Sequence, residues 1–101
     1  ILGDRFGTSC DRAITVAASE IFGGLGYRVG CNRPYAGGYI TERYGRPAEG
    51  VHVLQIEINR ALYMDEARVR PAAGFAALKR RLSLWMQALV GAPEFGAEAA
   101  E

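Results

Sequence analysis

Histidine and cysteine are scarce in this chain: there is one histidine, His52, and there are two cysteines, Cys10 and Cys31. A zinc site takes three or four His, Cys or acidic ligands at characteristic spacings. A lone histidine and two cysteines outside any CxxC pair cannot assemble an ordinary one, so no metal site is expected from these residues alone. Both thiols are expected to be free and buried. An excess of charge of either sign is also lacking. The formal net charge is +1, which gives no electrostatic case for a nucleic-acid or membrane partner. No apolar run approaches the roughly 20 residues that span a bilayer as a helix. The opening "ILGDRFG" has neither an initiator Met nor a basic-then-apolar signal pattern, and it begins inside what reads as a strand. The expectation is a piece of a longer protein. There is no internal repeat, and no Walker or GxGxxG pattern that would point to nucleotides.

What the chain does have is enough apolar material for one modest core. Half of its 101 residues are hydrophobic and 23% are charged, the balance of a globular domain. Ile1–Asp4 reads as the end of a strand. "FGTSCD" is a polar turn in which Ser9 or Asp11 can cap the helix that follows. Ile14, Ala17, Ala18, Ile21, Phe22 and Leu25 recur at helical spacing, and Gly23, Gly24 and Gly26 end that helix. Tyr27–Asn32 then predicts a short strand. Strand, helix and strand with short connections predict an α/β fold with a mostly parallel sheet. Arg33–Gly50 is a long Gly- and Tyr-rich connection, with a short helix over Tyr39–Tyr44. Val51–Asn59 is the best strand in the chain. Arg60–Ala67 suggests a turn of helix, and Pro71 suits the first residue of a last helix. Phe75, Leu78, Leu82, Trp85, Met86 and Leu89 form that helix's apolar face. Gly91 and Pro93 stop it. Residues 1–91 therefore form one unit, and 92–101 read as a flexible tail.

Three stretches could carry chemistry. In "VLQIEIN" the residues Gln55, Glu57 and Asn59 alternate, so they share one side of a strand. Burying a carboxylate costs several kcal/mol unless it is paired, protonated or ligated. In a parallel sheet, ligands bind beyond the C-terminal strand ends, so Glu57 there reads as a general base. An ion pair with Arg60 or another arginine is the plainer alternative. In "NRPYAGGYITERYGRP", Arg33 and Arg46 suit carboxylate recognition. Gly37 and Gly38 permit close approach of backbone, and Tyr35 and Thr41 add hydroxyls. The alternative is a tyrosine-rich loop packed on the sheet. In "GDRFGTSCD", Arg5 and the N–H groups at a helix start could hold an anion, or simply cap the helix. His52 falls on the face opposite Glu57 and reads as structural.

Taken together, "LGDRFGTSCD", "NRPYAGGYITERYGRP" and "HVLQIEINRALYMDE" resemble the C-terminal part of N-formylglutamate amidohydrolases, over about Ile1 to Leu89. The resemblance implies a three-layer α/β hydrolase fold akin to zinc carboxypeptidases and acylases. It implies hydrolysis of N-formyl-L-glutamate, or a related N-acyl amino acid, to formate and glutamate, a cytoplasmic step of histidine degradation. It implies a divalent metal, zinc first, whose ligands lie in sequence this chain lacks. Glu57 then matches the base that takes a proton from metal-bound water. Arg33 leads the substrate-binding set, with Tyr35, Gly37, Gly38, Thr41, Arg46 and Arg5. The expected partners are that small-molecule substrate, the remainder of the same fold, and a second copy through uncovered surface. The fragment alone is expected to be inactive. A non-catalytic carboxylate-binding or interaction module is the alternative.

Overall fold

The computed structural model describes residues 1–92, so most of the expected tail lies outside the described residues. The fold is mixed α/β. Its elements are β1 (Leu2–Gly3), α1 (Arg12–Gly24), α2 (Tyr39–Tyr44), β2 (Gln55–Ile56), β3 (Met64–Asp65), β4 (Arg70–Pro71) and α3 (Phe75–Val90). Single 3₁₀ turns cover Pro47–Glu49 and Arg60–Leu62.

Among the described residues the strands are short and the named pairs are antiparallel, β1 with β2 and β3 with β4. The mostly parallel sheet is not formed here. Its parallel component is one bridge, Leu2 with Cys31, in which Leu2 N–H donates to the Gly30 carbonyl and Asn32 N–H to the Leu2 carbonyl, both at 2.8 Å. So the strand expected at Tyr27–Asn32 shrinks to this bridge, α1 being the crossover that makes parallel alignment possible. The positive φ of 67° at Asn32 then turns the chain away. Val51–Asn59 returns along the other side of β1 in the opposite direction and pairs piecewise: Val51 with Arg46, Val53 N–H with the Ser9 carbonyl at 2.8 Å, and Glu57 N–H with the Ile1 carbonyl at 2.8 Å.

The core lies on one face of this ribbon. Leu2, Ala18, Phe22 and Trp85 are its buried centre, with Ile21, Leu54, Ile56, Leu82 and Leu89 packed around them. Phe22 and Trp85 stack at 4.5 Å between centroids and 13° between planes, and the indole N–H donates to the Ala18 carbonyl at 3.0 Å. The indole therefore buries its large apolar area without orphaning its one polar atom. Of the expected apolar face of α3, Leu78 and Trp85 are buried, whereas Phe75 and Met86 stay exposed.

Helix α1 starts at the Asp11 cap, whose carboxylate accepts from the Ala13 N–H at 2.9 Å. Ser9 does not cap; its hydroxyl donates to the Val53 carbonyl at 2.9 Å. Helix α3 starts at Phe75, not Pro71. Pro71 pairs with Met64 in the β3–β4 hairpin, a short strand where a missing N–H is tolerated. Cys10 is buried as expected, whereas Cys31 is exposed.

Candidate active site

The face of the ribbon turned from the core is built from backbone and polar groups. Leu2 and Ile56 pair and point into the core, so their neighbours Gly3, Gln55 and Glu57 point the other way. The Arg33–Gly50 connection lies over this face. A Cβ on Gly3 would sit 2.7 Å from the Ala36 carbonyl, so only glycine lets the loop backbone approach so closely. Gly37 has φ +124°, where a side chain is strained, and a Cβ there would meet Thr41 Oγ1 at 2.5 Å.

Side chains tie the loop down. Arg5 donates from Nη1 to the Gly37 carbonyl at 2.9 Å, and its other terminal nitrogen lies 3.7 Å from Glu42. The buried Thr41 hydroxyl donates to the Gly38 carbonyl at 2.6 Å. Gly38 N–H donates to Gln55 Oε1 at 2.8 Å, and Gln55 Nε2 donates to Glu57 Oε1 at 2.9 Å. Arg5, Gly37, Gly38, Thr41 and Glu57 thus belong to one hydrogen-bonded assembly, with Gln55 as the link.

Glu57 is exposed, so its carboxylate carries no burial cost. It also sits at the opposite end of β1 from the Gly3–Asp11 turn, because β2 runs antiparallel. The rule for the C-terminal mouth of parallel strands does not apply to it. The plainer ion pair is not formed either: Arg60 faces Glu66 at 3.6 Å, and no arginine pairs with Glu57 among the described residues. Glu57 borders an open cleft of about 780 Å³ whose lining also includes Tyr35, Asn59, Arg60, Phe22 and Leu82.

The two remaining arginines sit elsewhere. Arg33 is exposed, lies 5.9 Å from the Phe6 ring centroid and has no carboxylate partner among the described residues. Arg46 lies beside Glu49 at 3.8 Å, and its backbone pairs with Val51. It is not brought into the Gln55 assembly.

A second polar cluster, missed in the sequence, supports the turn after β1. Asp4 is fully buried. Its Oδ1 accepts from Asn32 Nδ2 at 2.9 Å and from Gly7 N–H at 3.0 Å, while Asn32 Oδ1 accepts from the N–H groups of Asp4 and Phe6. Burial alone would raise the Asp4 pKa. The Asn32 amide, the Gly7 N–H, the Thr15 hydroxyl and the Arg12 charge outweigh it and hold the carboxyl below its ordinary value. The pair clamps Arg5 and Phe6, both at positive φ, and so fixes where Arg5 meets the loop. An Asx pair flanking two strand ends was the available signal.

Burial, with Asp4 and Asp11 adding to it against the Thr15 hydroxyl, raises the Cys10 thiol pKa, which suits a structural thiol. His52 Nδ1 accepts from the Asp11 N–H at 3.0 Å and so anchors the start of α1. Among the described residues, no three His, Cys, Asp or Glu side chains gather into a metal-ligand set. No described helix is long and apolar enough to cross a membrane.

A family model of N-formylglutamate amidohydrolases matches residues 1–64. The chain belongs to the N-formylglutamate amidohydrolase family. It is 38% identical over 66 residues to an N-formylglutamate deformylase of Pseudomonas aeruginosa and 35% identical over 66 residues to one of Pseudomonas putida. Each match covers 64% of this chain and 25% of the relative, so the chain spans about a quarter of the length of these enzymes. The crystal structure of an N-formylglutamate amidohydrolase from Ralstonia eutropha superposes with a TM-score of 0.79 at 43% identity, over 83% of this chain and 30% of that one. The mixed α/β arrangement is thus shared with part of a family enzyme.

Proposed function

We propose that the chain is the part of an amidohydrolase that supplies its general base, Glu57, for hydrolysis of N-formyl-L-glutamate or a related N-acyl amino acid to formate and glutamate. The observation that carries this reading is the state of the Glu57 carboxylate. It is exposed beside a cleft, one oxygen is held by Gln55, and Oε2 has no hydrogen-bond partner among the described residues. That oxygen accepts the proton of the attacking water and later returns it to the leaving nitrogen. A base needs this combination of fixed direction and open valence.

Arg33, without an acidic partner among the described residues, is the group for a substrate carboxylate, and its fork favours bidentate binding. Tyr35 lines the cleft that Glu57 borders and offers a hydroxyl. Gly37, Gly38, Thr41 and Arg5 shape the loop, and Arg46 braces its far end. The family resemblance implies a divalent metal that activates the water. Among the described residues no three His, Cys, Asp or Glu side chains gather to fit such an ion, and no step runs through it.

Formate and acetate release by the full-length gene product, from N-formylglutamate and N-acetylglutamate with divalent metal supplied, tests the reading. Formate release is expected to be the faster. Failure to cleave either compound overturns it.

A further inference from the structure

The Gln55 carboxamide is placed between two groups that need opposite partners. Gly38 presents an N–H, which only donates, and Glu57 presents a carboxylate, which when ionised only accepts. A carboxamide meets both, with Oε1 at 2.8 Å from Gly38 N and Nε2 at 2.9 Å from Glu57 Oε1. Its orientation follows, because the reverse flip sets oxygen against carboxylate and donor against donor. The amide is also uncharged. An arginine or lysine in its place would hold Glu57 ionised and weaken it as a base.

Gln55 is half-buried and fixed by β2, where its pair Gly3 carries no side chain to compete for the space under the loop. Its donation occupies Oε1 and leaves Oε2 without a hydrogen-bond partner among the described residues. Its acceptance from Gly38 pins the loop at the residue after Gly37, where Arg5 and Thr41 hold the neighbouring carbonyls.

We infer that Gln55 is the positioning residue that registers the general base against the Gly37–Gly38 loop, making one rigid unit of base and loop. The inference rests on Glu57 being that base. Its function is to hold Glu57 in a single rotamer and to set the loop's height above the ribbon, so both kcat and KM depend on it.

Two variants separate its two ends, measured in the full-length gene product. Gln55→Glu keeps an acceptor for Gly38 but loses the donor to Glu57 and adds a like charge. The acid limb of its kcat/KM profile should move up by about one pH unit, with KM little changed. Gln55→Met loses both bonds. Its kcat should fall about ten- to a hundredfold and its KM should rise, with the melting temperature little changed. If Gln55→Met does not fold, Gln55→Glu, close to isosteric, decides alone. A lowered melting temperature with an unmoved acid limb and unchanged kcat would leave Gln55 a structural residue and overturn the inference. Glu57→Gln is measured alongside. If it keeps full kcat, the base assignment fails and this inference with it. If it is inactive while the Gln55 variants behave as wild type, only the role of Gln55 fails.

Discussion

The two faces of the β1–β2 ribbon are closed by different means. On one, Leu2 and Ile56 meet Phe22 and Trp85, and the closure is apolar area. On the other, Gly3, Gln55 and Glu57 meet a loop, and the closure is backbone contact and hydrogen bonds. Apolar burial is non-directional and roughly proportional to area. Hydrogen bonds between half-exposed groups contribute only about 1 kcal/mol each but fix direction. The core face therefore carries stability, and the loop face carries geometry.

Variants that act on one face alone can break this contrast. The largest effect is expected from Glu57→Gln in the full-length gene product. Its kcat should drop about 10²- to 10⁴-fold, with substrate affinity and melting temperature close to wild type. A kcat within a few-fold of wild type would remove Glu57 from the chemistry. Trp85→Ala should act on the other face alone. It removes the stacking partner of Phe22 and should cost about 3–5 kcal/mol, read as a lower urea midpoint. The protein that remains folded should keep its kcat; a catalytic loss larger than the folded fraction explains would mean the faces are coupled.

Gly37→Ala comes next. The strained φ and the contact with Thr41 should cost about 1–3 kcal/mol locally. Because the loop can shift, the cost should show mainly as a raised KM, and a fall in stability with unchanged KM would contradict the division. The smallest effect concerns pH. Asp4 ionises more readily folded than unfolded, so its contribution is present above the ordinary carboxylate pKa near 4 and fades as pH falls through the lower folded value. Urea midpoints measured from neutral pH down to acid should fall more steeply for wild type than for Asp4→Asn. Parallel slopes would show that Asp4 makes no such contribution.

Much of the helical structure was legible because its causes are local. The 3.6-residue spacing in Ile14–Leu25 and Leu78–Leu89 marks amphipathic helices whatever they pack on, and Asp11 caps through its own neighbours. The alternation at Gln55, Glu57 and Asn59 correctly placed Gln55 and Glu57 on one face, since it depends only on strand geometry. Pairing was not legible. Whether Val51–Asn59 lies parallel or antiparallel to Leu2–Gly3 depends on the end of β1 to which the Arg33–Gly50 connection delivers the chain, and no residue in the strand encodes that. The same holds for the arginines: Arg5, Arg33 and Arg46 are alike in sequence, yet one holds the loop, one lies by Phe6 and one faces Glu49. Pro71 misled because the first turn of a helix and a short strand both tolerate a missing N–H.

The sequence by itself determined the two long helices, a pair of capping candidates, the polar side of the best strand and the family, all of which rest on short-range spacing or on strings long enough to be specific. Only the tertiary structure decided that the paired strands run antiparallel, that Glu57 is exposed, and that Gln55 spans from Gly38 to Glu57 across 17 and then 2 positions of chain. The reason is physical: side-chain direction follows from the backbone's local repeat, whereas a partner is chosen by where the whole chain closes on itself.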